Sequence, residues 1–279
     1  MKCKHAPSRP ASPAKNRWTR ASTIACVVAV AFAGFSCGGG TPSAPTSPAP
    51  TSPSGTSACG AIGATSALSV AIVHGTACSQ ANSSVVLVNL RDASHVPIGA
   101  CSGTVIAPRA VLTAAHCLSE ETAEVRIWPG TGDEIAAESF RFHPSLDVGI
   151  VITTQDINRA PLRLLVSRDA RTGEEAVIAG WGHDERGFGT ILRAGITAIS
   201  AVTSTSLETQ SGTSSSSVCS GDSGGPILLS QGGVWSIAGV TSATAIGGSC
   251  AIGNSFFVSV RNPSVMTFVF GLVPAANRQ

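Results

Sequence analysis

The chain has 279 residues, 43% of them hydrophobic and 12% charged, enough apolar side chain to bury a substantial core and so to exclude disorder throughout. The formal charge of +2 comes from the N-terminus: Lys2, Lys4 and Lys15 are the three lysines, no acidic residue precedes Asp92, and residues 38–279, with 12 arginines, no lysine and 16 acidic residues, carry −4. A mildly acidic body gives no electrostatic case for nucleic-acid binding, and abundant Gly, Ser, Thr and Val favour strands over helices.

In chain order, basic residues between positions 2 and 20 precede a twelve-residue apolar run, 24–35, that stops at Cys37-Gly38-Gly39-Gly40. Twelve residues are too few for a stable membrane-spanning helix and suit the core of an export signal. The Ser36-Cys37 ending resembles a bacterial lipoprotein signal, which makes Cys37 the candidate for lipidation and membrane anchoring. Gly34 departs from the Leu-like residue usual in such signals, and Ala31-Phe32-Ala33 offers an ordinary signal-peptidase site instead. Residues 1–37 therefore read as a signal peptide on an exported protein, either a cell-envelope lipoprotein or a secreted one. Residues 38–58, nearly all Gly, Ser, Thr, Pro and Ala, read as an extended tether, because they cannot bury enough apolar surface to offset their ordering entropy.

A globular region runs from about Cys59 to about Val273, with no second linker and no fixed repeat. Short β-like runs fall at 85–90, 104–106, 123–128, 148–152, 176–181, 191–200, 226–229, 235–241 and 256–260, punctuated by Gly, Pro, Asn and Asp, as in a sandwich or barrel. Residues 263–272, opening on Pro263, read as a terminal helix. Of nine cysteines, Cys3 and Cys26 fall in the signal and Cys37 is reserved. The remaining six (Cys59, Cys78, Cys101, Cys117, Cys219, Cys250) suggest three disulfides in an exported chain, with zinc as the alternative that their wide scatter and lack of CxxC spacing disfavour.

Three islands carry chemistry: C-S-G-T-V-I at 101–106 leading to L-T-A-A-H-C at 112–117, H-P-S-L-D-V-G-I-V at 143–151, and C-S-G-D-S-G-G-P at 219–226. A serine hydroxyl needs a base within hydrogen-bond reach, histidine suits that task near neutral pH, and a carboxylate fixes the imidazole tautomer. Glycines around the serine let backbone N–H groups face a developing oxyanion. Taken singly, His116 is an ordinary core histidine, and Asp147 and Ser223 ordinary turn residues; their order along the chain argues otherwise. The G-D-S-G-G run also fits a nucleophile elbow, but that fold needs its acid and histidine downstream, and no His, Asp or Glu follows Ser223.

The runs T-A-A-H-C, H-P-x-x-D-V-G-I-V and G-D-S-G-G-P, in that order, resemble the three signatures of the chymotrypsin/trypsin-like serine protease family over about residues 72 to 272. The resemblance implies an all-β fold of two antiparallel six-stranded β-barrels with a C-terminal helix and a cleft between the barrels. It implies His116 as general base, Asp147 as its orienter, Ser223 as nucleophile, and the N–H groups of Gly221 and Ser223 as oxyanion hole. The reaction would be hydrolysis of protein or peptide substrates through an acyl-enzyme, by a monomer with no metal or organic cofactor. Cys101–Cys117 and Cys219–Cys250 match family disulfides. Glu120, Glu121 and Glu124 read as a solvated face rather than a metal site. The alternative is a catalytically silent homologue that acts as a binding protein; a purely structural lipoprotein would not need the three islands.

The resemblance also implies activation by cleavage before Ile72-Val73-His74-Gly75, with the new α-ammonium pairing with Asp222. Residues 59–71 would be the propeptide and 72–279 the protease domain. Ala71 before the cut is not basic, which disfavours a trypsin-like activator; the bland alternative is an uncut strand and a turn aspartate. The family's partner position for Cys78 falls near Ala194, leaving Cys59 as the remaining candidate and predicting a Cys59–Cys78 bridge that keeps the propeptide attached. Ser217 at the base of the P1 pocket, Ser242 along the substrate backbone, and Thr244 and Ser255 as walls imply small or medium apolar P1 residues. Ala243 stands where Trp is expected and the 245–249 loop is long, so ordinary loop roles for Ser217 and Thr244 stay open.

Overall fold

The computed structural model describes residues 57–70, 75–183, 191–212, 215–244, 250 and 253–279. The signal, most of the tether, Cys37 and Ile72 lie outside these. Two strands come first, β1 (Ser66–Val70) and β2 (Thr76–Cys78), paired antiparallel. Then β3 (Val85–Arg91), β4 (Pro97–Ala107), β5 (Ala110–Thr113), β6 (Glu124–Trp128), β7 (Ile135–Phe142) and β8 (Gly149–Thr153) close into a barrel in the order 3-4-5-8-7-6. The rest are β9 (Glu175–Gly180), β10 (Arg193–Val202), β11 (Ser206–Gln210), β12 (Pro226–Gln231), β13 (Val234–Thr244) and β14 (Asn254–Ser259). They close in the order 9-10-11-14-13-12, and β2 extends the sheet by pairing with β10. Two closed antiparallel six-stranded barrels and a short C-terminal helix are the architecture that the sequence implied.

The barrels fill with β-branched and aliphatic side chains, which pack well on a pleated surface. Val86, Val88, Val105, Val111, Ile127 and Val151 are fully buried in the first. Ile178, Ile199, Leu207, Ile227, Leu229 and Phe257 form the core of the second. Every predicted strand is present, but β1, β2, β5, β7 and β11 had no predicted counterpart. In β7 the sequence IAAESFRF buries only Ile135 fully, so no apolar face announces it, and pairing with β6 and β8 makes it a strand. In β10 strict alternation turns Thr197 and Ile199 inward and leaves Ile196 47% exposed.

The helix α1 (Pro263–Leu272) has the predicted bounds. Pro263 is tolerated at its first turn, where its missing N–H has no intrahelical partner in any case, and the Asn262 side chain accepts from Ser264 N and Val265 N. Val265 and Val269 anchor its inner face. Three disulfides join Cys59 to Cys78, Cys101 to Cys117 and Cys219 to Cys250. These three pairings are the ones predicted, and they leave no thiolate among the six cysteines for zinc. The sulfurs of Cys101 and Cys117 do cluster with the His116 ring, but they are spent in their own bond.

Replacing Asn262 by Ala removes the cap of α1. Urea denaturation is expected to show a loss of about 0.5–2 kcal/mol of stability; an unchanged midpoint would mean that the cap contributes nothing.

Candidate active site

His116 sits on a single 3₁₀ turn, Ala115–Leu118, immediately after β5, and the disulfide from Cys117 to Cys101 pins that turn to β4. Asp147 lies in the loop between β7 and β8. That loop is shaped by His143, whose Nδ1 accepts from Ser145 N (3.2 Å) and Leu146 N (3.0 Å). His143 Nε2 is 2.6 Å from Ser264 Oγ on α1, and the ring packs edge-on against Phe268. His143 was read only as part of a motif; that it braces the aspartate loop against the helix became visible in the fold alone.

The two residues meet closely. Asp147 Oδ2 is 2.8 Å from His116 Nδ1, and Oδ1 accepts from the His116 backbone N–H at 2.9 Å. A third donor, Ser242 Oγ, reaches Oδ2 at 2.6 Å from β13 of the second barrel. Burial alone would push the Asp147 carboxyl upward, yet its pKa is lowered, because the bonds from His116 and Ser242 and the imidazole charge together outweigh desolvation. The same hydrogen bond raises the His116 pKa above its ordinary value of 6.5, against partial desolvation. An ionised carboxylate facing Nδ1 demands a proton there, which leaves Nε2 as the basic nitrogen.

Ser223 lies on the turn between the Cys219 disulfide and β12. Gly224 follows it, and a Cβ there would stand 2.1 Å from Thr113 Oγ1 and 2.3 Å from Ser102 O, so only glycine lets the turn press onto the middle of β4 and the end of β5. This contact carries Ser223 to the His116 turn: Cys117 Sγ is 4.0 Å from Ser223 O. The Ser223 hydroxyl itself makes no hydrogen bond to the imidazole in this structure.

Four successive carbonyls of the turn are tied down. Ser220 O accepts from His183 N (2.8 Å), Gly221 O from Ser102 Oγ (2.8 Å), Asp222 O from Gly225 N (2.9 Å), and Ser223 O from Ser102 N (2.8 Å). The amides of Asp222, Gly224 and Gly225 all donate within the protein. Those of Gly221 and Ser223 have no acceptor among the described residues, and Gly221, at φ +93°, holds a conformation open to glycine. Asp222 is buried between them with its carboxylate accepting from Gly182 N and Cys219 N, both at 2.8 Å. Burial pushes its pKa up to about 6, opposed by those bonds and by the charges of Arg193 and His183.

Of the pocket residues, Ser217 is buried with its hydroxyl donating to Cys250 O, and Ser255 Oγ accepts from Val218 N at 3.4 Å. Thr244 pairs with Ser255 in the β13–β14 ladder, and its side chain lies outside the described part. Ser242, assigned from sequence to the substrate backbone, spends its hydroxyl on Asp147. Glu124 is taken up by His95 and Arg126 at the surface.

Two closed six-stranded barrels, a His–Asp pair from one and a glycine-rich serine turn from the other define a trypsin-like serine protease fold. The pattern of the family described as Trypsin matches residues 72–269, and the chain belongs to that family. It is 32% identical to trypsin epsilon of Drosophila erecta over 108 residues, covering 33% of this chain and 42% of that one. To trypsin delta of the same species it is 27% identical over 215 residues, covering 66% and 81% respectively. The solved structure of HL collagenase superposes with a TM-score of 0.61 over 74% of this chain and 99% of that one, and its 19% identity speaks for the fold alone.

The shifts at His116 and Asp147 can be read directly by NMR. The His116 ring should titrate with a midpoint above 6.5, charged below it and neutral above it. In Asp147→Asn the midpoint should fall; a midpoint unchanged by that substitution would show that the carboxylate is not what raises it.

Proposed function

We propose that this protein is an exported serine endopeptidase that hydrolyses peptide bonds through an acyl-enzyme, with His116, Asp147 and Ser223 as its triad. The observation that carries the reading is the doubly bonded His116–Asp147 pair, which reserves Nε2 as a base. In the first step Ser223 Oγ attacks the carbonyl carbon and its proton passes to His116 Nε2. The tetrahedral oxyanion is received by the free N–H groups of Gly221 and Ser223, and the imidazolium, stabilised by Asp147, then protonates the leaving amine. Water repeats the sequence on the acyl-enzyme. Because the base must be neutral, kcat/KM should fall as pH drops through the raised pKa of His116.

Protein or peptide substrates follow from the family. The finer preference, small or medium apolar P1 residues, rests on Ser217, Ser255 and Thr244, and on the absence of a carboxylate at position 217 to pair with Lys or Arg. A catalytically silent homologue that binds proteins is the second reading, favoured by the missing Ser223–His116 hydrogen bond. A fluorophosphonate probe separates the two: a single labelled serine, lost in Ser223→Ala together with at least about 1,000-fold of the peptidase activity, is the expected result. Wild-type protein that stays unlabelled after its N-terminus has been released at Ile72 would establish the silent reading. Profiling on a peptide library should show cleavage after Ala, Val or Leu; a preference for Lys or Arg would sink the pocket assignment.

Release of an N-terminus at Ile72 is the proposed activating event, since a buried carboxyl such as Asp222 is stabilised in its charged form by an adjacent cation. The Cys59–Cys78 disulfide would keep residues 59–71 attached after the cut. Deprotonation of an α-amine of pKa near 8 would then erode activity on the alkaline side. Ile72→Gly should lower kcat/KM about 10-fold or more; full activity in that variant would remove the idea. Three disulfides point to an extracellular setting. Anchoring through a lipidated Cys37 is checked by metabolic labelling with palmitate, which should vanish in Cys37→Ser.

A further inference from the structure

Ser102 is fully buried on β4, and no step above uses its side chain. It touches both residues of the proposed oxyanion hole. Its backbone N–H donates to Ser223 O at 2.8 Å, and its hydroxyl donates to Gly221 O at 2.8 Å. The same Oγ accepts from Trp181 N at 2.8 Å, and the Ser102 carbonyl accepts from Thr113 Oγ1 at 2.8 Å. With Trp181 N–H on an Oγ lone pair, the single hydroxyl proton is left for Gly221 O, so the direction of that bond is fixed.

We propose that the Ser102 hydroxyl is the positioning residue of the oxyanion hole, clamping the Gly221–Asp222 peptide from the opposite barrel so that the two N–H groups on either side of it point into one site. This rests on the protease reading above. The physical reason is the freedom of Gly221. A glycine at positive φ has few steric limits on either side, so the peptide between the two donors is oriented by its two hydrogen bonds. These are Asp222 N to Cys219 O at 3.0 Å on one edge and Gly221 O from Ser102 Oγ on the other, and losing either lets the peptide tilt and move both donors off target. The Asp222 and Ser220 carbonyls are held by backbone bonds that survive any side-chain change, and so is Ser223 O. The Gly221 carbonyl is held by the Ser102 side chain, and without it a part-buried acceptor loses its protein partner and the peptide is left with the Asp222 N–H bond alone. A preorganised hole lowers the barrier only if its donors are already aimed when charge develops.

The test compares Ser102→Ala and Ser102→Thr with the wild-type protein, with rates referred to burst-titrated active sites so that unfolded material does not count. In Ser102→Ala, kcat is expected to drop about 10- to 100-fold with KM within about twofold, less than the roughly 100- to 1,000-fold typical of deleting a hole donor outright. Affinity for a peptide boronate, whose tetrahedral adduct places an oxygen in the hole, should fall by the same factor. Affinity for the product peptide should not change. Ser102→Thr keeps the hydroxyl and should recover most of kcat. The assignment is overturned if kcat per site in Ser102→Ala equals wild type, if boronate and product-peptide affinities fall together, or if folded Ser102→Thr is as slow as Ser102→Ala. Failure of the protease reading looks different: wild-type protein with its N-terminus released at Ile72 would then neither label at Ser223 nor bind the boronate, and the Ser102 assignment falls with it.

Discussion

The site depends on a place where the two barrels touch at a residue with no side chain, Gly224. The turn after Ser223 lies against the middle of β4 and the end of β5, so close that a Cβ at Gly224 would overlap Thr113 Oγ1 and Ser102 O. Ser102 N–H to Ser223 O and Gly224 N–H to Thr241 O stitch that turn into both barrels at once. Such a contact is rigid because protein interiors are close-packed and backbone bonds tie the turn to both barrels. A methyl group at position 224 would overlap Thr113 Oγ1, Ser102 O and Ala114 N, so the serine turn could not sit as close to the His116 turn as it does.

Two carboxylates stand close to this contact and meet opposite fates. Asp147 accepts three hydrogen bonds, one from each nitrogen-bearing group of His116 that faces it and one from Ser242, and their sum exceeds the cost of partial burial. Asp222 is sealed in completely, and two backbone N–H donors leave its pKa raised. The same side-chain type thus becomes a stable anion in one place and a group that calls for a counter-charge in the other. The first suits a residue that must stay ionised while a neighbouring imidazole gains and loses a proton.

How much was legible in the sequence follows the strength of local signals. Strands with dense Val, Ile and Leu, such as β3, β8, β9 and β12, were visible, as was α1, with Pro263 and an Asn cap at its start. β7 and β11 were not. Their residues are half polar, and pairing outside their own residues makes them strands, with the adjacent β6 and β8 for β7 and the distant β14 for β11. The roles of Ser102 and His143 were hidden for the same reason. A serine in a strand and a histidine before a proline have no local mark, and their partners are 119 and 121 residues away.

By itself the sequence determined which side chains could do the chemistry and in what order they come, because nucleophile, base and carboxylate are properties of residue type and the glycines around Ser223 are needed by the backbone itself. It also determined the all-β class, through composition and spacing. Only the tertiary structure decided that Ser242 is a third donor to Asp147, that the carbonyls from Ser220 to Ser223 are all turned away from the two free amides, and that Ser102 reaches across to hold one of them. The contacts of Ser242 and Ser102 are distances between atoms on different barrels. Such distances are set by how the strands close and pack, which no local stretch of chain encodes.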